Sequence, residues 1–208
     1  MLSIVHRFVK KWLNFLSLFL CLHTVNAQVP DLHPRLKALE HRQKISKSSL
    51  ANAIPIRNIG PTVFGGRVVD IEGNPNRPEE FYVAFASGGL WHTDNNGASF
   101  NPLFDHEAVM TIGDLAIDWA RKIIYLGTGE NNSSRSSYSG CGVYKSWDLG
   151  KSWTHLGLEE TQHIGKIILD PGDTNRLYVA ALGHLYSENP ERGVYCSSDG
   201  GKTWQKNL

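Results

Sequence analysis

Two carboxylates and one ammonium fall at a single repeated position of this 208-residue chain. When three stretches are aligned on Asn74-Pro75, Asp118-Trp119 and Asp170-Pro171, Asp70, Asp114 and Lys166 share one column. Two carboxylates near a common axis could act as acid and base on a glycosidic bond, with their separation deciding the chemistry. They could equally be salt-bridged side chains filling a polar tunnel. A second set sits in intervening loops: Glu130, Asn131, Arg135 and Tyr138 in one, His184, Tyr186 and Glu188 in another, with Arg67 near the same mouth. Extra loop length on a rigid scaffold is where binding and catalysis are usually built. Asp70, Asp114 and Glu130 are therefore the catalytic candidates. Arg67, Asn131, Arg135, Tyr138, Lys166, His184 and Tyr186 are the binding candidates, and the plain alternative is solvated polar loops.

The elements that position these residues are marked by a recurring turn. Thr93-Asp94-Asn95-Asn96-Gly97-Ala98-Ser99-Phe100, Ser146-Trp147-Asp148-Leu149-Gly150-Lys151-Ser152-Trp153 and Ser197-Ser198-Asp199-Gly200-Gly201-Lys202-Thr203-Trp204 share one pattern of hydroxyl, Asp or Asn, Gly, hydroxyl and aromatic. The Asp or Asn oxygen caps a tight turn, and Gly97, Gly150 and Gly201 take a positive-φ position. Phe100, Trp153 and Trp204 restart a strand by packing inward. Asn95 and Phe100 depart from the Asp and Trp of the other copies, but Asn and Phe are expected to do the same jobs.

Three short strands precede each turn. They are read at Val69–Gly73, Phe81–Ala86 and Leu90–Thr93, at Ile112–Ile117, Ile123–Gly127 and Gly142–Ser146, and at Ile164–Leu169, Leu177–Ala181 and Gly193–Ser197. Four antiparallel strands in about 50 residues is the size of one β-propeller blade. The reading is an all-β partial propeller over 54–208, with about three four-stranded blades near 65–105, 110–158 and 162–208. Ile54–Ile59 suits the outer strand of a closing blade. Because propellers close with about four to eight blades, the chain reads as the N-terminal part of a longer one, with further blades expected from sequence beyond it. Residues 28–53 form a linker in which Pro34–Ser49 carries Leu36, Leu39 and Ile45 on one helical stripe.

Residues 1–27 read as a signal peptide: a basic start at His6, Arg7, Lys10 and Lys11, an apolar run from Trp12 to Leu22, and Val25-Asn26-Ala27 as cleavage signal. That run is too short for a bilayer span, which needs about 20 residues, so the mature chain is expected to be secreted or periplasmic with no membrane span. The 21 basic and 20 acidic residues, with no basic run, give no support for nucleic-acid binding. Cys141 and Cys196 are expected as free thiols on neighbouring repeats, and no metal or cofactor motif survives inspection. His106-Glu107 lacks the second histidine of a zinc motif, and Gly127-Thr128-Gly129 lacks the third glycine of a dinucleotide loop.

The turns resemble BNR or Asp-box repeats, with KSWDLGKSW and SSDGGKTW matching that motif closely. Ile59-Gly60-Pro61 with Gly65-Gly66-Arg67, then ASGGLWHT, IGDLAID, GTGEN, GVYKS, HIGKI and YVAALGHLY, look like exported bacterial repeat proteins often labelled "glycosyl hydrolase". Their propeller is similar to the N-terminal domain of sortilin-type receptors. The resemblance covers 54–208 and implies a many-bladed scaffold recognising a protein, peptide or glycan, with a glycoside hydrolase as the alternative. For a sialidase, Arg67, Arg135, Tyr138 and Glu130 offer the residue types, but the Phe-Arg-Ile-Pro motif is missing.

Overall fold

A computed structural model describes residues 33–55, 66–132 and 137–208. The expected leader, its cleavage after Ala27, most of the Ile54–Ile59 strand and Arg135 lie outside these residues. Twelve strands form three antiparallel four-stranded meanders. The first holds β1 (Val68–Asn74), β2 (Arg77–Phe85), β3 (Gly89–Thr93) and β4 (Asn101–Pro102). The second holds β5 (Ile112–Asp118), β6 (Ile123–Thr128), β7 (Val143–Ser146) and β8 (Thr154–His155). The third holds β9 (Ile164–Leu169), β10 (Leu177–Ala181), β11 (Gly193–Ser197) and β12 (Gln205–Lys206). First strands lie side by side, β1 against β5 and β5 against β9, which makes the sheets three blades of a β-propeller around one axis.

The outline follows the sequence reading, with two differences. β2 starts at Arg77, because Pro75-Asn76 alone makes the hairpin turn and the Asn74 side chain caps it by accepting from Asn76 N–H. The expected helix is present as α1 (His33–Ser48), but its apolar stripe enters no core and Ile45 is exposed. Arginines hold it instead. Arg35 donates to the Ser139 carbonyl, and Arg42 donates to those of His106 and Glu107. Among the described residues no helix is long and apolar enough to cross a membrane.

Apolar packing lies between blades. Tyr82, Ala84, Leu90 and Phe104 of blade 1 meet Ile112, Leu115 and Leu126 of blade 2; Tyr125 and Val143 of blade 2 meet Ile164, Ile167 and Val179 of blade 3. Each fully buried aliphatic there contributes about 1.5–3 kcal/mol. Cys141 is buried within the first joint and Cys196 is partly exposed on β11, both as free thiols. They do not occupy equivalent positions, since Cys196 sits within its strand and Cys141 precedes β7.

Three polar links recur at both joints. Tyr82 donates to the Leu149 carbonyl at 3.1 Å, and Tyr125 to that of Gly200 at 3.4 Å. The Trp153 and Trp204 indoles each donate backward at 2.7 Å, to the carbonyls of Leu103 and Leu156. The third link joins the inner strands and belongs to the site below. The Phe100 ring has no N–H to give, so it does only part of the tryptophans' work, and among the described residues no blade precedes it.

Candidate functional site

A bulge recurs at one place in each inner strand. The pairing of β1, β5 and β9 with its neighbour skips Val69, Gly113 and Gly165. Such an extra residue bends the strand and re-aims the side chain beside it. Here the next residues are Asp70, Asp114 and Lys166, so the aligned column of the sequence becomes a cluster near the axis. A Cβ on Gly113 would lie 1.8 Å from the Ile164 carbonyl oxygen, which shows how closely β5 and β9 approach.

Within that cluster Lys166 donates to Asp114 Oδ1 at 2.8 Å and lies 3.8 Å from Asp70 Oδ2. The remaining oxygens are taken by backbone. Asp114 Oδ2 accepts from Ile167 N–H at 2.7 Å, while Asp70 Oδ2 accepts from Leu115 N–H at 3.2 Å and Oδ1 from Ile71 N–H at 2.9 Å. Leu115 and Ile167 each follow the equivalent position in the next blade, so each aspartate staples its blade to its successor.

Burial pushes the Asp114 carboxyl up to about 6, against the opposing pull of Lys166 and the Ile167 N–H. Glu72, two residues along from Asp70, is also raised, by burial and then by the Asp70 charge. Burial works against the Lys166 ammonium, yet its bond to Asp114 and the charges of Asp114, Asp70 and Glu72 hold it above its ordinary range. Glu72 was not singled out from sequence, although strand periodicity places i and i+2 on one face.

The rim adjoins this cluster. Asn131 donates to the Gly113 carbonyl at 2.8 Å and toward that of Gly165 at 3.5 Å, one residue from Asp114 and Lys166. Buried Glu130 pairs with half-exposed Arg67, and its backbone N–H donates to the Tyr138 carbonyl. Its own carbonyl accepts from His163 Nδ1 at 2.8 Å. Burial, then the nearby His184 and Arg35 charges, push His163 down to about 4, so the ring is neutral and donates from Nδ1. His163 is a further residue the sequence reading passed over; its place next to the bulged strand was the available signal.

The candidates thus divide. Arg67, Asp70, Asp114, Glu130, Asn131 and Lys166 come together at the inner mouth. Tyr138 and Tyr186 stand exposed on the β6–β7 and β10–β11 loops, and Glu188 is exposed beside Tyr186. His184 lies on the β10–β11 loop, its Nε2 buried with no hydrogen-bond partner among the described residues. Chemically, the mouth offers carboxylates and an ammonium within one hydrogen-bonded cluster, while the rim offers aromatic and polar surface. Among the described residues no group of three or more His, Cys, Asp or Glu could hold a metal ion.

The turn residues lie at the other end of the blades. Ser146 Oγ donates to Asp148 Oδ1 at 2.7 Å and accepts from Gly150 N–H at 2.7 Å, and Ser152 bonds both Asp148 oxygens. Ser197, Asp199, Gly201 and Thr203 repeat this arrangement. Thr93, Asn95, Gly97 and Ser99 do so with one change, the Asn95 amide donating to Ser99 Oγ. The Thr203 hydroxyl and N–H, then the Ser197 hydroxyl, hold the Asp199 carboxyl well below the usual range.

Comparison with known proteins places the fold. No protein-family model matches the chain, and no curated protein does. Among solved structures it is similar to an ancestral GH74 enzyme, at TM-score 0.56 and 20% identity over 72% of this chain and 19% of that one. It is also similar to the GH74 xyloglucanase from Xanthomonas campestris, at TM-score 0.52 and 21% identity over 72% and 22%. A third likeness is to YCF48 from Cyanidioschyzon merolae, at TM-score 0.47 and 14% identity over 71% and 39%. The chain spans about a fifth of the length of the two GH74 structures.

Proposed function

We propose that this chain is an exported recognition scaffold that holds a protein, peptide or glycan ligand on the face of its β2–β3, β6–β7 and β10–β11 loops, in the manner of sortilin-type N-terminal domains. One observation carries the reading: both oxygens of Asp70 and Asp114 are already engaged, three of the four by backbone N–H groups, whereas Tyr138, Tyr186 and Glu188 are exposed on the loops around them. Carboxylates used as staples are poorly placed to move protons. Exposed aromatic surface beside polar groups suits binding. Export rests on the basic start, apolar run and Val25-Asn26-Ala27 of the sequence.

A glycan array and a peptide pull-down with the whole chain test this. One class is expected to be retained, and a Tyr138→Ala/Tyr186→Ala variant is expected to lose it at unchanged melting temperature. Retention of neither class would sink the reading. A glycoside hydrolase built on Asp70, Asp114 and Glu130 is the second reading, favoured by the Asp114 carboxyl being pushed up to about 6, where an acid can serve near neutral pH. Turnover of a cleavable glycoside that disappears in Asp114→Asn while the melting curve holds would replace the first reading with the second.

A further inference from the structure

The loop face assigned above to a ligand already holds a segment of this chain. Ser139 lies on the β6–β7 loop next to exposed Tyr138, and His106 and Glu107 lie on the β4–β5 connection. That connection belongs to the same end of the blades. Gly89 N–H of the β2–β3 turn donates to the Met110 carbonyl, and Gly129 N–H to that of Thr111. α1 reaches both places, Arg35 donating to the Ser139 carbonyl at 3.0 Å and Arg42 to those of His106 and Glu107 at 2.9 and 2.8 Å. Partly buried Leu39 stands between the two arginines, so the three residues fall at i, i+4 and i+7 on one stripe. That is the spacing by which a helix laid on a protein surface is read.

The helix and its seat are separable. No residue of α1 is buried, and a 16-residue helix is marginal without tertiary packing. The seat is held by bonds of its own: Gly140 N–H donates to the Gln162 carbonyl at 2.6 Å, and the Thr111 hydroxyl to that of Ser139 at 3.3 Å. Charge favours the contact. α1 carries Arg35, Lys37, Arg42, Lys44 and Lys47 against Glu40 alone. Beneath it, burial raises the Glu107 carboxyl and the Arg42 charge pulls it back. Burial also raises the Cys141 thiol, which Arg35 lowers and Glu159 and Glu160 raise further.

We propose that α1 is a tethered, displaceable occupant of this face, and that the external ligand taken there is a basic helical peptide with the same arginine, leucine, arginine stripe. Helix and ligand exclude one another, so the fraction of chains with α1 undocked sets the apparent affinity. Few contacts suffice to seat α1, because a short tether gives an effective concentration on the order of millimolar. This occupancy rests on the ligand reading above, and it narrows the ligand to a peptide.

The probe that tests this is a synthetic peptide of residues 33–48, held helical by a lactam between Glu40 and Lys44. Those two stand one turn apart on the side away from the stripe. Titrated to about millimolar concentration, the peptide should bind the Arg35→Ala/Arg42→Ala chain roughly tenfold or more tightly than the unaltered chain, because the variant's own helix has let go. A peptide with both arginines replaced by alanine should bind neither chain. Hydrogen exchange should show residues 33–48 losing protection in the variant while β5 and β9 keep theirs, at unchanged melting temperature. Equal affinity for the two chains overturns the proposal, as does binding to neither. A lowered melting temperature also overturns it, since α1 would then be a brace. Any of these results beside a ligand retained in the pull-down fells this proposal alone, whereas retention of nothing there fells the ligand reading itself.

Discussion

The two ends of the same blades are built differently. At the aspartate-turn end, Thr93, Ser146 and Ser197 make the same pair of bonds, to the Asp or Asn two residues on and from the glycine four residues on. At the other end the connections diverge: residues 86–88 between β2 and β3, 129–142 between β6 and β7, and 182–192 between β10 and β11. One end obeys the repeat and the other breaks it. Obedience marks what every blade needs in order to fold and join its neighbour, and departures mark what is free for other work. By that rule Asp70 and Asp114, each accepting the N–H that follows the equivalent position in the next blade, belong to the joint. Lys166, Glu130, Tyr138 and Tyr186 depart from the repeat, the first two already ion-paired with Asp114 and Arg67.

The rule is broken most severely by forcing the inner strands apart. Gly113→Ala would place a methyl group 1.8 Å from the Ile164 carbonyl and 2.6 Å from that of Gly129, both backbone atoms that cannot swing aside. The expected cost is about 3 kcal/mol or more, the upper range for overpacking, read as a fall in melting temperature. An unchanged melting temperature would mean that the joints are looser than these distances imply.

Asp114 separates the staple from the charge. Its folded carboxyl is raised to about 6, so its contribution to stability is fully present below the unfolded value near 3.9 and is lost as pH rises through about 6. Asp114→Asn keeps an acceptor for Ile167 N–H and should flatten the stability profile across that window. Asp114→Ala orphans the N–H and should cost about 1–3 kcal/mol at every pH. Equal losses in the two variants, measured by denaturant melts from pH 4 to 8, would show that the ion pair with Lys166 matters more than the staple.

How much of this could be read from sequence follows the range of each interaction. The turns were legible because Ser146 to Trp153 contains both donors and acceptors of its own bonds. The column of Asp70, Asp114 and Lys166 was legible because three copies could be aligned. What those carboxylates hold was not, since Leu115 and Ile167 N–H lie far along the chain and reach them only through blade packing. The rim was legible as loop length alone. The pairing of Arg67 with Glu130 and the seat of His163 on the Glu130 carbonyl depend on blades 1, 2 and 3 being brought together.

The smallest effect tests the rule where the repeat itself falters. Trp153 links blade 2 back to the Leu103 carbonyl at 2.7 Å, while Phe100 at the equivalent place has no donor and, among the described residues, no blade behind it. Trp153→Phe keeps most of the packing against Phe104 and removes the indole N–H, so it should cost about 1 kcal/mol, one net hydrogen bond. Phe100→Trp supplies a ring donor with, among the described residues, no preceding blade to receive it and should leave stability within about 0.5 kcal/mol of wild type in denaturant melts; a gain of about 1 kcal/mol would show that the indole has found an acceptor.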